Sequence, residues 1–159
     1  MAFFEWNDKL SVGISAVDRD HKGLIECVNQ LNEAFLAGRT REVLDPLLSR
    51  LIAAANDHFL QEEIIWEAAR YIDLDRHKEQ HADLLKTARE FQAKYRSGGA
   101  ALSIDVMRAL SGWVNNHILT SDKEAADAIG AGARAELNAP STSGGSQHSR
   151  APRWRAPNR

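Results

Sequence analysis

Four stretches of this chain repeat apolar residues with the period of an α-helix, and each stretch carries histidine inside its apolar stripe. In the third stretch, for example, His77 and His81 run on into Leu84, Ala88 and Phe91. A side chain in such a stripe points into the core, where an ionised group without a partner costs several kcal/mol. The pattern therefore predicts a bundle of helices whose buried histidines share a partner.

Acidic residues accompany these histidines at spacings that fit one shared metal site. Glu62 follows His58 by four residues, as His81 follows His77, and residues four apart lie on the same face of a helix. The seven core donors are His21, His58, Glu62, His77, His81, His117 and Asp122. Seven donors exceed the four of a tetrahedral zinc site, so we predict two metal ions, with Glu62 and Asp122 as bridges. Imidazole suits iron, zinc, copper and nickel about equally, so the donors alone do not select the metal.

One spacing does not fit a regular helix. Asp122 follows His117 by five residues, and five residues rotate through about 500°, which leaves the two side chains roughly 140° apart. We predict that this turn is widened into a π-type turn, a distortion often found at functional sites.

Capping and breaking residues set the predicted limits of the first two helices. We expect the first helix over residues 18–37, with Asp18 as its N-cap and a glycine after its end. The second begins at residue 40 or 45 and ends near residue 69 or 71. Pro46 favours the later start, because proline suits the first position of a helix.

The remaining elements complete an all-α fold. We expect the third helix to follow Asp73 and close before Gly98, and the fourth to run over residues 103–129, before Gly130. Short connections and the lack of strand-like alternation predict an antiparallel up-down-up-down four-helix bundle. Residues 1–17 are too apolar for a free segment, so we expect an N-terminal arm that lies across the bundle.

The end of the chain differs from the body in composition. Residues 131–159 are rich in proline, serine and glycine, so we predict a disordered, flexible basic tail after a bundle of residues 1–130. From residue 138 onward the charged residues are Arg150, Arg153, Arg155 and Arg159, so the formal charge of −2 for the chain becomes −6 for the rest. Four charges give only weak, salt-sensitive contact with an acidic surface. We therefore expect a solvated extension and no nucleic-acid partner.

The rest of the composition is that of an ordinary globular domain. The 159 residues are 43% hydrophobic and 26% charged, enough for one core. No stretch approaches the roughly 18 apolar residues of a membrane span, and the N-terminus lacks a signal-peptide pattern, which predicts a cytoplasmic protein. The single cysteine, Cys27, has no internal disulfide partner and is expected to be a packing residue.

Four segments resemble the bacteriohemerythrins, the bacterial branch of the hemerythrin family of non-haem di-iron oxygen-binding bundles. The segments are 12–22, which ends in Asp-Arg-Asp-His-Lys; 58–63, His-Phe-Leu-Gln-Glu-Glu; 77–81, His-Lys-Glu-Gln-His; and 113–123, which begins Trp-Val-Asn-Asn-His-Ile. The resemblance spans residues 6 to about 125. All seven donor positions hold the residue types that the family pattern requires, in the same order.

The resemblance implies two non-haem iron ions per chain. His77, His81 and His117 would hold one iron. His21 and His58 would hold the other, which keeps an open position for dioxygen. Glu62, Asp122 and an oxo or hydroxo group would bridge the pair.

Two positions depart from the family pattern. Trp66 stands where methionine is expected, four residues after the bridging glutamate, and Ile72 stands where proline is expected after Tyr71. Trp66 shares the face of Glu62, so its indole is expected either to narrow the oxygen pocket or to fill the core.

Two residues beside His117, Trp113 and Ile118, complete the predicted oxygen pocket, with ordinary core packing as the alternative. Glu63 is turned about 100° from Glu62 on the helix, so we expect a solvated charge rather than a third bridge.

The resemblance favours reversible dioxygen binding, for carriage, storage or sensing, and it assigns no catalytic residue. The same donors could serve a di-iron oxidase, peroxidase or nitric oxide reductase, an iron-handling or repair protein, or a zinc-based structural domain. Oxygen-cleaving bundles use inward Glu-x-x-His pairs, which this chain lacks. The oligomeric state stays open.

Overall fold

The structure is a computed structural model that describes residues 2–140. Its helices are a short 3-10 helix (Asp8–Leu10), α1 (Ser15–Leu36), α2 (Arg41–Ala68), α3 (Leu74–Ser97), α4 (Ile104–His117), a π segment (Ile118–Asp122) and α5 (Lys123–Asn138). α1 packs against α2 and α4, and α2 also packs against α3. Short connections join each of these helices to the next one in the chain, which confirms the predicted antiparallel four-helix bundle, with α4, the π segment and α5 as its fourth rod. Within residues 2–140, no helix combines the length and the hydropathy needed to cross a membrane.

The N-terminal arm lies across the bundle, as predicted. The backbone N–H of Phe4 donates to the side-chain oxygen of Asn29 at 2.8 Å, and the Asn29 amide donates back to the Phe4 carbonyl at 2.8 Å. Further along the arm, Leu10 is buried against Ile25 and Ile118. The arm therefore covers the junction between α1 and the π segment.

The first helix begins earlier than predicted, because Asp18 serves the arm instead of capping the helix. α1 starts at Ser15 with Ile14 as its N-cap. The Asp18 carboxylate accepts hydrogen bonds from the Val12 N–H, at 2.8 Å, and from the Ser11 hydroxyl. The predicted N-cap is therefore wrong, and Asp18 holds the arm against the first turn of α1.

The second helix also begins earlier than the favoured start. α2 starts at Arg41 with Thr40 as its N-cap, so Pro46 lies inside the helix rather than at its first position. The Arg41 guanidinium donates to the Tyr95 carbonyl and lies 4.7 Å from the centre of the Tyr95 ring. These contacts join the first turn of α2 to the end of α3, a tertiary reason for the early start.

The limits of α3 and the start of α4 agree with the prediction. Gly98, in the left-handed region with φ 81°, ends α3. The Ser103 hydroxyl accepts a hydrogen bond from the Val106 N–H at 3.2 Å and caps α4.

The widened turn between His117 and Asp122 is present. Residues 118–122 form a π-helix, and both flanking residues keep α-helical backbone angles. The prediction of a π-type turn is confirmed, since the wider turn brings the two side chains to one face.

The fourth rod breaks at Gly130 but does not end there. Gly130 has non-helical angles, φ 84° and ψ 165°, and a second helical segment follows as far as Asn138. The Asn138 side chain accepts from the Ser15 N–H and donates to the Gly13 carbonyl, both at 2.8 Å. The prediction that the tail begins at residue 131 is therefore wrong for residues 131–138. Residues 141–159, including the arginines of the predicted tail, lie outside the described residues.

Two apolar clusters occupy the two ends of the bundle. One is built around Leu31, Leu48 and Met107, and the other around Ile14, Trp66 and Ala125. Along each helix the histidines stand between members of the two clusters, so the donors form a polar layer inside an apolar interior.

Candidate metal centre

The structure brings all seven predicted donors together. α1 supplies His21, α2 supplies His58 and Glu62, α3 supplies His77 and His81, α4 supplies His117, and the π segment supplies Asp122. Each side chain is at most 9% exposed. The site is therefore a buried layer with donors from every rod of the bundle.

The donors divide into two overlapping groups. In one group, donor atoms of Glu62, His77, His81, His117 and Asp122 lie within 4.8 Å of one another. In the other, donor atoms of His21, His58, Glu62 and Asp122 do so. Glu62 and Asp122 belong to both groups, which is the arrangement that bridging carboxylates require.

Asp122 directs its two oxygens toward different histidines. Its Oδ1 lies 3.0 Å from His117 Nε2 and 3.3 Å from His77 Nε2. Its Oδ2 lies 3.1 Å from His21 Nε2. The carboxylate thus faces both groups at once.

Glu62 directs one oxygen toward both groups. Its Oε2 lies 3.2 Å from His77 Nε2, 3.3 Å from His81 Nε2 and 4.0 Å from His58 Nε2. Its Oε1 is buried and has no hydrogen-bond partner among residues 2–140. That second oxygen is free to bind a cation.

Unpaired polar atoms show that the protein alone does not satisfy this layer. Among the described residues, both ring nitrogens of His21 and His58 and both oxygens of Asp122 are buried without a hydrogen-bond partner. The Nε2 atoms of His81 and His117 face each other at 2.9 Å. Buried polar groups are almost always partnered. Cations among these imidazoles and carboxylates would partner them, so the residues fit a two-metal centre.

Protons balance the buried charge when no metal is bound. Burial alone would lower the pKa of His77, but the Asp122 and Glu62 carboxylates, 3.3 and 3.2 Å from its Nε2, raise it to about 9. Burial opposes ionisation of Asp122, yet the imidazoles of His117, His21 and His77, which lie 3.0–3.3 Å from its oxygens, hold its pKa well below the ordinary value. The carboxylates therefore stay ionised, and a metal must compete with a proton on His77.

A cavity of about 60 Å³ adjoins one side of the centre. The donors that line it are His21, His58, His117 and Asp122, and its other walls are apolar side chains, including Trp113 and Ile118. Both histidines of the smaller group thus face the cavity, whereas His77 and His81 do not line it.

Trp66 lies on the other side of the centre. It is fully buried beside Val12, Ile14 and Tyr71, and its ring centre lies 6.3 Å from that of His77. It does not line the cavity. Its position favours the alternative of core packing over a role in narrowing this cavity.

Sequence reasoning missed two carboxylates that face the outer nitrogens of the histidines. Glu63 Oε1 lies 2.9 Å from His81 Nδ1, so Glu63 is neither a solvated charge nor a third bridge. Asp20 Oδ2 lies 3.6 Å from His58 Nδ1. Each of these carboxylates stands directly beside a donor in the sequence, and that position could have pointed to it. Which helix Glu63 faces, however, depends on the packing of α2 against α3.

Comparison with known proteins agrees with this geometry. The family model described as Hemerythrin HHE cation binding domain matches residues 12–129. A bacteriohemerythrin of Stenotrophomonas maltophilia (strain R551-3) is 30% identical over 138 residues, which cover 87% of this chain and 86% of the relative. A myohemerythrin of Theromyzon tessulatum is 27% identical, over 75% of this chain and 88% of its own length.

The solved structure of a wild-type hemerythrin superposes with a TM-score of 0.76 at 27% identity, and the match covers 82% of this chain and 100% of that one. The residues that the family model matches, 12–129, contain all seven donors and end just before the backbone break at Gly130. The chain belongs to the hemerythrin family.

Proposed function

We propose that this protein binds dioxygen reversibly at a di-iron centre held by the seven donors. The observation that carries the proposal is the placement of the cavity. It adjoins the smaller donor group. In that group only two histidines, His21 and His58, would bind the metal, compared with three histidines in the other group. That group has room for an external ligand.

Imidazole and carboxylate donors accept several metals, and the family resemblance supports iron among them. His77, His81 and His117 would hold one iron, His21 and His58 the other, and Glu62 and Asp122 would bridge them. Bound there as a ferrous pair, iron would supply the electrons for dioxygen binding.

The cavity walls favour binding over turnover. Apart from the metal donors, the described lining consists of apolar side chains, including Leu24, Phe59, Trp113 and Ile118. Such a lining admits a small neutral molecule and excludes water. It also holds no general acid that could protonate and release a reduced product.

The test is an oxygen titration of the ferrous full-length protein, followed by optical spectra and iron analysis. We expect two irons per chain and spectral bands that disappear when oxygen is removed. Steady oxygen consumption would instead identify an oxidase, and one ion per chain would contradict the two-metal centre.

Variants at histidines supply a matched control. His58→Ala removes a donor that lines the cavity, and we expect it to abolish reversible binding. His148→Ala changes the one histidine outside the seven donors and should leave binding unchanged. Equal loss in both variants would show that the effect is not specific to the centre.

A further inference from the structure

α2 holds the ring of His81 with two residues that are not metal donors. Phe59 and Glu63 stand four apart, directly after His58 and Glu62. Because residues four apart share a helix face, α2 presents two adjacent pairs, one of donors and one turned toward α3. The second pair meets His81.

The two contacts fix different degrees of freedom of the imidazole. The Phe59 ring stacks on the His81 ring, with centres 3.9 Å apart and planes 6° from parallel. Glu63 Oε1 lies 2.9 Å from His81 Nδ1. The stacking sets the plane of the ring, and the hydrogen bond sets its rotation within that plane.

The hydrogen bond also selects the tautomer of His81. An ionised carboxylate only accepts hydrogen bonds, so His81 Nδ1 must carry the proton and donate it. The lone pair of the neutral ring is then on Nε2, which lies 3.3 Å from Glu62 Oε2 inside the centre. Glu63 thus presents the nitrogen that a metal requires.

No other donor histidine has such a partner in the described part of the chain. Asp20 is 3.6 Å from His58 Nδ1, beyond hydrogen-bond distance, and is 41% exposed, whereas Glu63 is 21% exposed. His21 Nδ1 is buried and has no hydrogen-bond partner within residues 2–140. The support is therefore asymmetric and falls on the three-histidine group.

We propose that Glu63 is a positioning residue of the metal centre, which acts through His81 to retain iron and favour its ferric state. The proposal rests on the di-iron centre described under Proposed function. A carboxylate hydrogen bond makes an imidazole more basic and fixes its orientation, and loss of such a partner typically costs about 10–100-fold in metal affinity. The added negative charge stabilises the more highly charged ferric ion.

The test compares Glu63→Gln with Glu67→Gln in full-length, iron-loaded protein. Both substitutions remove one negative charge from α2, but Glu67 is exposed, and within residues 2–140 it forms no hydrogen bond or ion pair with a histidine. For Glu63→Gln we expect about tenfold faster iron loss to a chelator and a more positive reduction potential. Glu67→Gln should match the unchanged protein in both measurements.

A spectroscopic measurement separates positioning from general stability. In protein with isotope-labelled histidine, the Nδ1 proton of His81 should exchange with solvent faster in Glu63→Gln. Glu63→Asp, which keeps the charge on a shorter side chain, should recover part of the iron retention. Thermal unfolding of the iron-free forms shows whether either variant is merely less folded.

Two outcomes would overturn the proposal: iron release and potential unchanged in Glu63→Gln, or equal shifts in Glu67→Gln. These outcomes are independent of oxygen binding, because iron release and potential are measured without oxygen. If the unchanged protein holds two irons but does not bind oxygen reversibly, the proposed function fails and the role of Glu63 is still tested.

Discussion

Raising the pH from about 6.5 to 9 should destabilise the iron-free protein, and His77 is the main reason. Its pKa is about 9 in the fold, against an ordinary value of 6.5, because the nearby Asp122 and Glu62 carboxylates, 3.3 and 3.2 Å from its Nε2, outweigh the effect of burial. A pKa raised by folding adds stability that is complete below 6.5 and is lost as the pH rises through 9.

The size of the effect follows from the gap between the two pKa values. That gap corresponds to about 3 kcal/mol, a large fraction of the 5–15 kcal/mol that is usual for a domain. Burial lowers the pKa of His58, but Asp20 and Glu62 outweigh it and raise the pKa, so His58 contributes in the same direction. Glu62 and Asp122 have lowered pKa values, so they stay ionised throughout this range and add no slope.

The assay is urea unfolding of chelator-treated protein at several pH values across this window. The free energy of unfolding should fall as the pH rises, and His77→Gln should remove most of the slope, whereas His148→Gln should keep it. Iron-loaded protein should not show the loss, because the metal replaces the proton on His77. A flat profile, or an equal slope in His77→Gln, would refute the reasoning.

Three further substitutions test the cavity, the far side of the centre and the arm. Ala55→Leu enlarges a side chain that lines the cavity of about 60 Å³. It should slow oxygen association about tenfold in stopped-flow measurements, which corresponds to an added barrier of about 1.4 kcal/mol. Ala53→Leu, at an exposed position of the same helix, should not slow it. Trp66→Met should leave oxygen association unchanged, since Trp66 packs away from the cavity. It should lower the free energy of unfolding by about 2 kcal/mol, because a buried side chain is lost from the core. Slower oxygen association in this variant would instead show that Trp66 belongs to the oxygen pocket. Asp18→Asn should lower the free energy of unfolding by about 1–3 kcal/mol, because it weakens the hydrogen bonds that Ser11 and Val12 donate to the carboxylate. Thermal or urea unfolding measures the change, with Asp105→Asn at an exposed position as the control. Equal losses in the two variants would contradict that account.

Local rules predicted much of the centre. Residues four apart share a helix face whatever surrounds the helix, so His58 with Glu62 and His77 with His81 could be paired from spacing. The five-residue spacing of His117 and Asp122 demanded a wider turn, and the π segment supplies it.

The missed features all depend on contacts between elements. Asp18 has the chemistry of an N-cap, but the arm's Val12 N–H competes for its carboxylate. Glu63 looks solvated on an isolated helix and becomes a partner of His81 only when α3 packs beside α2. Trp66 lies on the same helix face as Glu62, one turn further along α2. That turn places it in the apolar cluster on the far side of the metal centre from the cavity.

The sequence by itself determined the helices, the donors and the distorted turn, because periodicity and spacing act within one helix. Only the tertiary structure decided which oxygen of Asp122 faces which histidine, on which side the cavity lies, and which carboxylate supports which ring. Those relations join residues on different helices, and the packing of side chains between the rods fixes them.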